Sequence, residues 1–161
     1  LFYFAYNLKG ENMLSSACQY AIKACIYLST KAVGHPLVGL KEIASEIDSP
    51  VPYTAKILNT LAKDKILNSG RGPHGGFALN KQPEQIRLMY IVDAIEGKNR
   101  FENCLLGDKM CGELNQCPLH NKFHTVRSNL VKTFYNVTLA DVDFTAINNF
   151  GAETIGDLSP S

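Results

Sequence analysis

The chain is expected to be mainly α, with one small β-hairpin and a long helix toward its C-terminal end, and three observations carry that reading. Apolar residues return at intervals of three and four in separate stretches before residue 100, the spacing that lines one face of a helix. Between them lies Asn68-Ser69-Gly70-Arg71-Gly72-Pro73-His74-Gly75-Gly76-Phe77. Its four glycines, proline and arginine within seven residues exclude a helix interior or a central strand and suit a tight hairpin tip. Finally, Leu119, Phe123, Val126, Leu130 and Phe134 recur at spacings of 4, 3, 4 and 4, a single apolar seam along one helix.

The bulk properties set bounds. A length of 161 residues supports one domain, or one domain with an appendage, and a real core. Apolar content is 45%, with no 18-residue apolar run, so no membrane partner is expected. Leu1-Phe2-Tyr3-Phe4-Ala5-Tyr6 is too short to span and lacks the features of a signal peptide. Residues 1–12 are expected to lie outside the fold, as an upstream extension or a cloning remnant, because Met13 opens the first clean helical pattern. Net charge is +1 but uneven. Residues 13–100 carry 11 Lys/Arg against 7 Asp/Glu, a mild bias toward an anionic partner. Five cysteines without a secretory signal fit cytoplasmic thiols or metal ligands better than a disulfide framework.

Taken in order, Ser15 or Ser16 can cap a helix reaching about Thr30, with Ala17, Ala21, Ala24, Cys25 and Leu28 on its apolar face. Cys18 and Cys25 fall on or beside that face and read as small core residues. Gly34-His35-Pro36 breaks the pattern. Leu40, Ile43, Ala44 and Ile47 mark a two-turn amphipathic helix, and Asp48 to Pro52 a turn, with Pro52 suited to the next helix's first turn. That helix, about 52–64, turns Tyr53, Ile57, Leu58 and Leu61 to one side and Lys56, Asn59, Thr60 and Lys63 to the other. Ile66-Leu67-Asn68 and Phe77-Ala78-Leu79 read as strands flanking the glycine stretch. Residues 83–88 read as a turn and short extended segment, followed by a helix over about Met89–Glu96 that Gly97 stops. Residues 101–117 are loop-like. A long helix region covers 118–142, and residues 143–161 form a tail.

A short helix, a tight turn, a second helix with polar residues outward and a two-stranded wing, in that order, make a winged helix-turn-helix domain over 13–100. The region 118–142 is then free to serve as a dimerisation helix. A polar stripe is ordinarily a solvated face, and a hairpin arginine is ordinarily incidental. In this order they become candidate DNA contacts: Thr54, Lys56, Asn59, Thr60 and Lys63 on the second helix, Arg71, Gly72, His74 and Gly75 on the wing. Glycine permits close backbone approach, and arginine suits a phosphate or a narrow groove.

Cys104, Cys111 and Cys117 with His120 give C-x6-C-x5-C-x2-H, a soft-ligand set on a glycine-loosened loop. Zinc takes three thiolates and an imidazole, but structural zinc sites favour close C-x2-4-C pairs, which are missing here. The wide spacing also suits a 2Fe–2S unit. Spacing alone leaves zinc, iron–sulfur and three unligated thiols open. A Cys117/His120 nucleophile pair lacks an orienting third group and an oxyanion loop.

With these residues in view, the chain resembles the IscR/NsrR/CymR family of bacterial winged-helix transcription regulators over about 13–142. The resemblance rests on Tyr20-Ala21, Glu42-Ile43-Ala44, and Tyr53 with Ile57-Leu58 and Leu61. It rests also on Arg71-Gly72-Pro73-His74-Gly75-Gly76-Phe77, Ala94-Ile95-Glu96-Gly97, the three cysteines and Thr138-Leu139-Ala140-Asp141. It implies a homodimer on palindromic double-stranded promoter DNA, with the second helix in the major groove and Arg71 in the minor groove. It also implies an iron–sulfur cluster, 2Fe–2S favoured and 4Fe–4S possible, on Cys104, Cys111 and Cys117, with His120 matching the histidine of the IscR-like branch. No enzymatic activity is implied. The alternative is a zinc-stabilised or apo thiol-sensing member of the same fold that acts as an interaction module. Two departures stand out. The first cysteine gap is longer than is typical of IscR, and Ala55 stands where many relatives carry a longer polar side chain.

Overall fold

The computed structural model describes residues 13–31, 33, 36–98, 100, 101 and 119–149, and of residues 120, 121, 148 and 149 the backbone alone. Helix α1 (Ser16–Ser29) begins where Ser15 accepts the Cys18 backbone N–H at 3.2 Å, satisfying one of the helix's open donors. Its Ala21, Ala24 and Cys25 are wholly buried, and these small side chains let other helices approach its axis closely. Cys18 and Cys25 are core residues, as their spacing implied.

Helix α2 (Leu40–Glu46) and helix α3 (Val51–Lys63) follow, joined through Asp48 in a left-handed conformation, with Pro52 in the first turn of α3. Ile57, Leu58 and Leu61 press α3 into the common core. Strand β1 (Leu67–Gly70) pairs antiparallel with β2 (Gly76–Leu79), in a register running from Leu67 opposite Leu79 to Gly70 opposite Gly76. The strands reach further into the glycine stretch than the sequence suggested, leaving residues 71–75 as the tip. Pairing extends because Val38 joins as a third short strand, exchanging two 2.9 Å backbone hydrogen bonds with Phe77. Gly76 is required there. Its φ is +155°, and a Cβ on it would overlap the Val38 carbonyl.

A 3-10 turn, Pro83–Gln85, leads to helix α4 (Leu88–Glu96), which ends at Gly97 with φ 85°. Helix α5 (His120–Asn136) does not continue through Val142 as a helix. Thr138 and Asp141 form a reciprocal capping box around a 3-10 turn, Leu139–Asp141, and a new cap terminates the old helix direction. Leu88 N–H donates to Val137 O, and Leu139 N–H to Ile86 O, both at 3.0 Å. The Arg87 guanidinium donates to the Tyr135 carbonyl at the end of α5, a favourable place for a cation. The returning chain thereby buries Leu139 in the same core as α1 and α3.

The expected tail beyond Asp143 contains a further helix, α6 (Phe144–Asn149). Asp143 opens it by accepting the Thr145 N–H at 2.9 Å, which holds its carboxyl below the usual carboxylate range. Phe144 lies 5.1 Å from the Tyr27 ring, centroid to centroid. Among the described residues no helix is long and apolar enough to cross a membrane.

The five-residue seam divides along α5. Phe134 packs with Val131 against Cys18, Met89 and Val92, and stacks on Phe101 at 5.2 Å. Phe123 and Val126, about three and two turns earlier, stay 39% and 63% exposed.

Candidate nucleic-acid interface

Helix α3 carries Lys56, Asn59 and Lys63 exposed on the side away from its buried leucines. They sit three and four residues apart, so a helical period stacks them into one stripe. Thr60 is half-buried beside them, its hydroxyl donating to the Lys56 carbonyl at 3.1 Å. Thr54 departs from the expectation. It is wholly buried, and its hydroxyl donates to the Pro50 carbonyl at 3.0 Å, so it fastens the first turn of α3 rather than facing outward. Val51 and Tyr53, each 37% exposed, stand at the same end of the helix. Tyr53 meets Tyr20 edge to face at 5.9 Å, so a residue read as an apolar contact also offers part of its ring to solvent. Their signal in the sequence was position: both occupy the helix's first turn, before the buried stripe begins.

The helix preceding the turn is pinned by a polar contact across the core's edge. Tyr27 donates its hydroxyl to Glu42 at 2.6 Å, and the Lys31 ammonium lies 3.7 Å from the same oxygen and 4.9 Å over the Tyr27 ring. Burial, then the Glu42 hydrogen bond, push the Tyr27 phenol up. The pair fixes α2 on α1, and so the angle at which α3 leaves the turn.

The wing presents Arg71, Gly72, Pro73 and His74 exposed, with Gly75 half-buried and its N–H donating to Gly72 O at 2.9 Å. Among the described residues Arg71 makes no ion pair, so its guanidinium carries an unspent charge at the tip. His74 and Gly75 also border a recess of about 480 Å³ against Pro36, Leu37 and Gly39.

Cys104, Cys111 and Cys117 lie outside the described residues. His120 is the first residue of α5, described by its backbone alone. Among the described residues no group of three or more His, Cys, Asp or Glu side chains is placed to hold a metal. Cys18 and Cys25 are no substitutes. Burial pushes the Cys18 thiol up to about 12 and that of Cys25 higher still, so both stay protonated and inert.

A helix-turn-helix packed on the core, its polar outer face and an arginine-tipped hairpin define a DNA-binding transcription regulator of the winged helix-turn-helix class. The profile of the Rrf2 family, described as iron-dependent transcriptional regulators, matches residues 14–143, and the chain belongs to that family. An Aquifex aeolicus protein assigned to the HTH-type transcriptional regulators is 32% identical over 132 residues, 81% of this chain and 90% of its own. The regulator IscR of Yersinia pseudotuberculosis is 25% identical over 129 residues, 80% of this chain and 77% of its own. Among solved structures, CymR, the global cysteine regulator of B. subtilis, has the same fold with a TM-score of 0.66. The match has 22% identity and covers 80% of this chain and 93% of CymR. These relatives are regulators, not enzymes.

Proposed function

We propose that the chain acts as a homodimer on palindromic promoter DNA, and that an iron–sulfur cluster on Cys104, Cys111, Cys117 and His120 sets its affinity. The observation that carries the DNA half is the exposed Lys56-Asn59-Lys63 stripe on α3, followed within the same sheet-and-helix unit by Arg71, which makes no ion pair among the described residues. Lys56, Asn59, Thr60 and Lys63 meet the major groove, and Arg71 the minor groove. Gly72, His74 and Gly75 lie against the phosphate backbone beside it. Two such units face half-sites about 34 Å apart on one side of the duplex. Phe123 and Val126, apolar and open on α5, supply the pairing surface.

The donor set fits the cofactor by its chemistry: three thiolates and an imidazole are soft ligands for iron. The residues flanking the cysteine segment are held, since Phe101 stacks on Phe134 and the Leu119 carbonyl accepts the Lys122 and Phe123 N–H groups at 3.1 Å. When bound, the cluster supplies a redox-responsive centre. With the cluster held by Cys104, Cys111, Cys117 and His120, this segment would be tied to the start of α5, and ligation would constrain the helix through which two copies pair.

Replacement of Arg71 by alanine tests the DNA reading, on a duplex selected from random sequence. Affinity should fall, and the slope of log affinity against log salt should shrink by about 1. An unchanged affinity and slope removes Arg71 from the interface. Anaerobic reconstitution with iron and sulfide tests the cluster: visible absorbance should appear in the native chain and vanish in Cys111→Ala. Colourless protein that retains zinc overturns the cluster assignment and leaves the DNA reading standing.

A further inference from the structure

Two recesses adjoin along α4. The first, about 270 Å³, lies between the exit of α3, the end of β2 and α4. The second, about 430 Å³, lies between α4, the turn after it and α5. They share Tyr90, Asp93 and Lys98 as lining residues, so they adjoin, and the groove they outline is of the size that small organic ligands occupy.

The two ends differ in chemistry. At the first, Lys65, Lys81 and Lys98 converge from three separate segments, all exposed. Two carboxylates, Asp64 and Asp93, stand against these three ammonium groups, and Asp93 already has a partner within the fold. The Gln85 amide adds a neutral donor. At the second end Met89, Phe101, Val131 and Tyr135 make an apolar wall. Arg100 belongs to that wall as structure, since its guanidinium is held by Glu96 at 3.3 Å and by the Met13 carbonyl. Tyr90, where the ends meet, and Tyr135 are each 43% exposed, large rings that neither the core nor the α3 and wing face employs.

We propose that this groove binds a small amphipathic organic anion. Its anionic oxygen group sits among Lys65, Lys81 and Lys98, and its flat apolar body lies along Tyr90, Phe101 and Tyr135. Lysines without full neutralisation favour the head, and offset stacking on tyrosine favours the body. Such a ligand would touch the exit of the recognition helix and the pairing helix at once. It therefore acts as an effector, coupling the position of α5 to that of α3.

The chain has no tryptophan, so Tyr90→Trp introduces a single emitter at the junction. Titration with 1-anilinonaphthalene-8-sulfonate, itself an amphipathic aromatic anion, should give saturable energy transfer at one site per chain. In the same background, Lys65→Glu with Lys81→Glu should weaken that binding about tenfold or more. Lys41→Glu, on α2, should leave it unchanged. The carboxylate 2-naphthoate should displace the dye, and neutral 2-naphthalenemethanol should do so at least about tenfold less well. Non-saturable transfer, or binding indifferent to both charge reversal and ligand charge, overturns the proposal. If Tyr90→Trp melts early, Tyr135→Trp places the emitter on the opposite wall for the same titration. No DNA enters these measurements, so the groove and the regulatory reading fail independently.

Discussion

Helix α4 has nine residues, of which Met89, Ile91 and Val92 are buried; helix α5 has seventeen, and none of its described side chains is fully buried. Both carry apolar residues at helical spacing. The difference lies in what each has to pack against. α4 is enclosed by α1, α3 and α5, whereas α5 has α4 beneath its second half and no described neighbour over Phe123 and Val126. In proteins most of a helix's stability comes from packing its amphipathic face rather than from its length. The open seam of α5 is therefore the place where a second copy gains most, and apolar periodicity alone does not reveal which side of a helix its own chain will cover.

Four substitutions or conditions sharpen that contrast. Ile91→Ala, inside the enclosed helix, should destabilise the fold by about 3 kcal/mol in denaturant unfolding, from lost burial and the cavity left behind. A loss near zero would mean that α4 is not the enclosed partner.

Alkaline pH should act on the same core through its thiols. The ordinary thiol value is 9.0, and burial holds Cys18 at about 12 and Cys25 higher. Their contribution is fully present below 9.0. It falls as pH rises further, because the unfolded chain ionises while the fold keeps both thiols neutral. One unit above 9.0, the loss should be on the order of 1 kcal/mol per thiol, read by comparing the native chain with Cys18→Ala and Cys25→Ala across pH. At neutral pH neither thiol should react with iodoacetamide until the protein unfolds.

Ser15→Ala should cost about 1 kcal/mol by removing the cap on α1, measured as a shift in thermal midpoint. Val126→Asp should scarcely change the unfolding free energy, because the side chain is 63% exposed. In sedimentation it should convert dimer to monomer. A dimer that survives the aspartate places the pairing surface elsewhere.

Most of the winged half was legible, for identifiable reasons. The faces of α3 follow from the period of Ile57, Leu58 and Leu61, and the hairpin from glycines no other element tolerates. The stop of α4 follows from Gly97. Thr54 was misread because a threonine can satisfy its own hydroxyl on a carbonyl four residues back, and this local bond leaves no trace in a polarity pattern. Helix α6 was missed for a different reason. Asp143 ahead of Phe144 and Ile147 was a cap with an apolar pair behind it, but a six-residue helix is outweighed by the Gly-, Ser- and Pro-containing sequence that follows. The partial exposure of Tyr53 was hidden by type, since an apolar ring at a helix start reads as core contact. The open groove along α4 could not be read at all, because its lysines come from segments far apart in the chain.

The return of the chain after α5 has a mechanical consequence. Backbone hydrogen bonds at Val137 and Leu139 lace the far end of that helix to the start of α4, and Phe101 grips its side by stacking on Phe134. Both holds fall at the last turn of the helix, so that end is fixed to the body of the domain. In the dimer proposed above, a twist applied to the C-terminal end of α5 would carry the body of the domain with it, and a change at the junction between copies would reach the duplex as a rotation of each half.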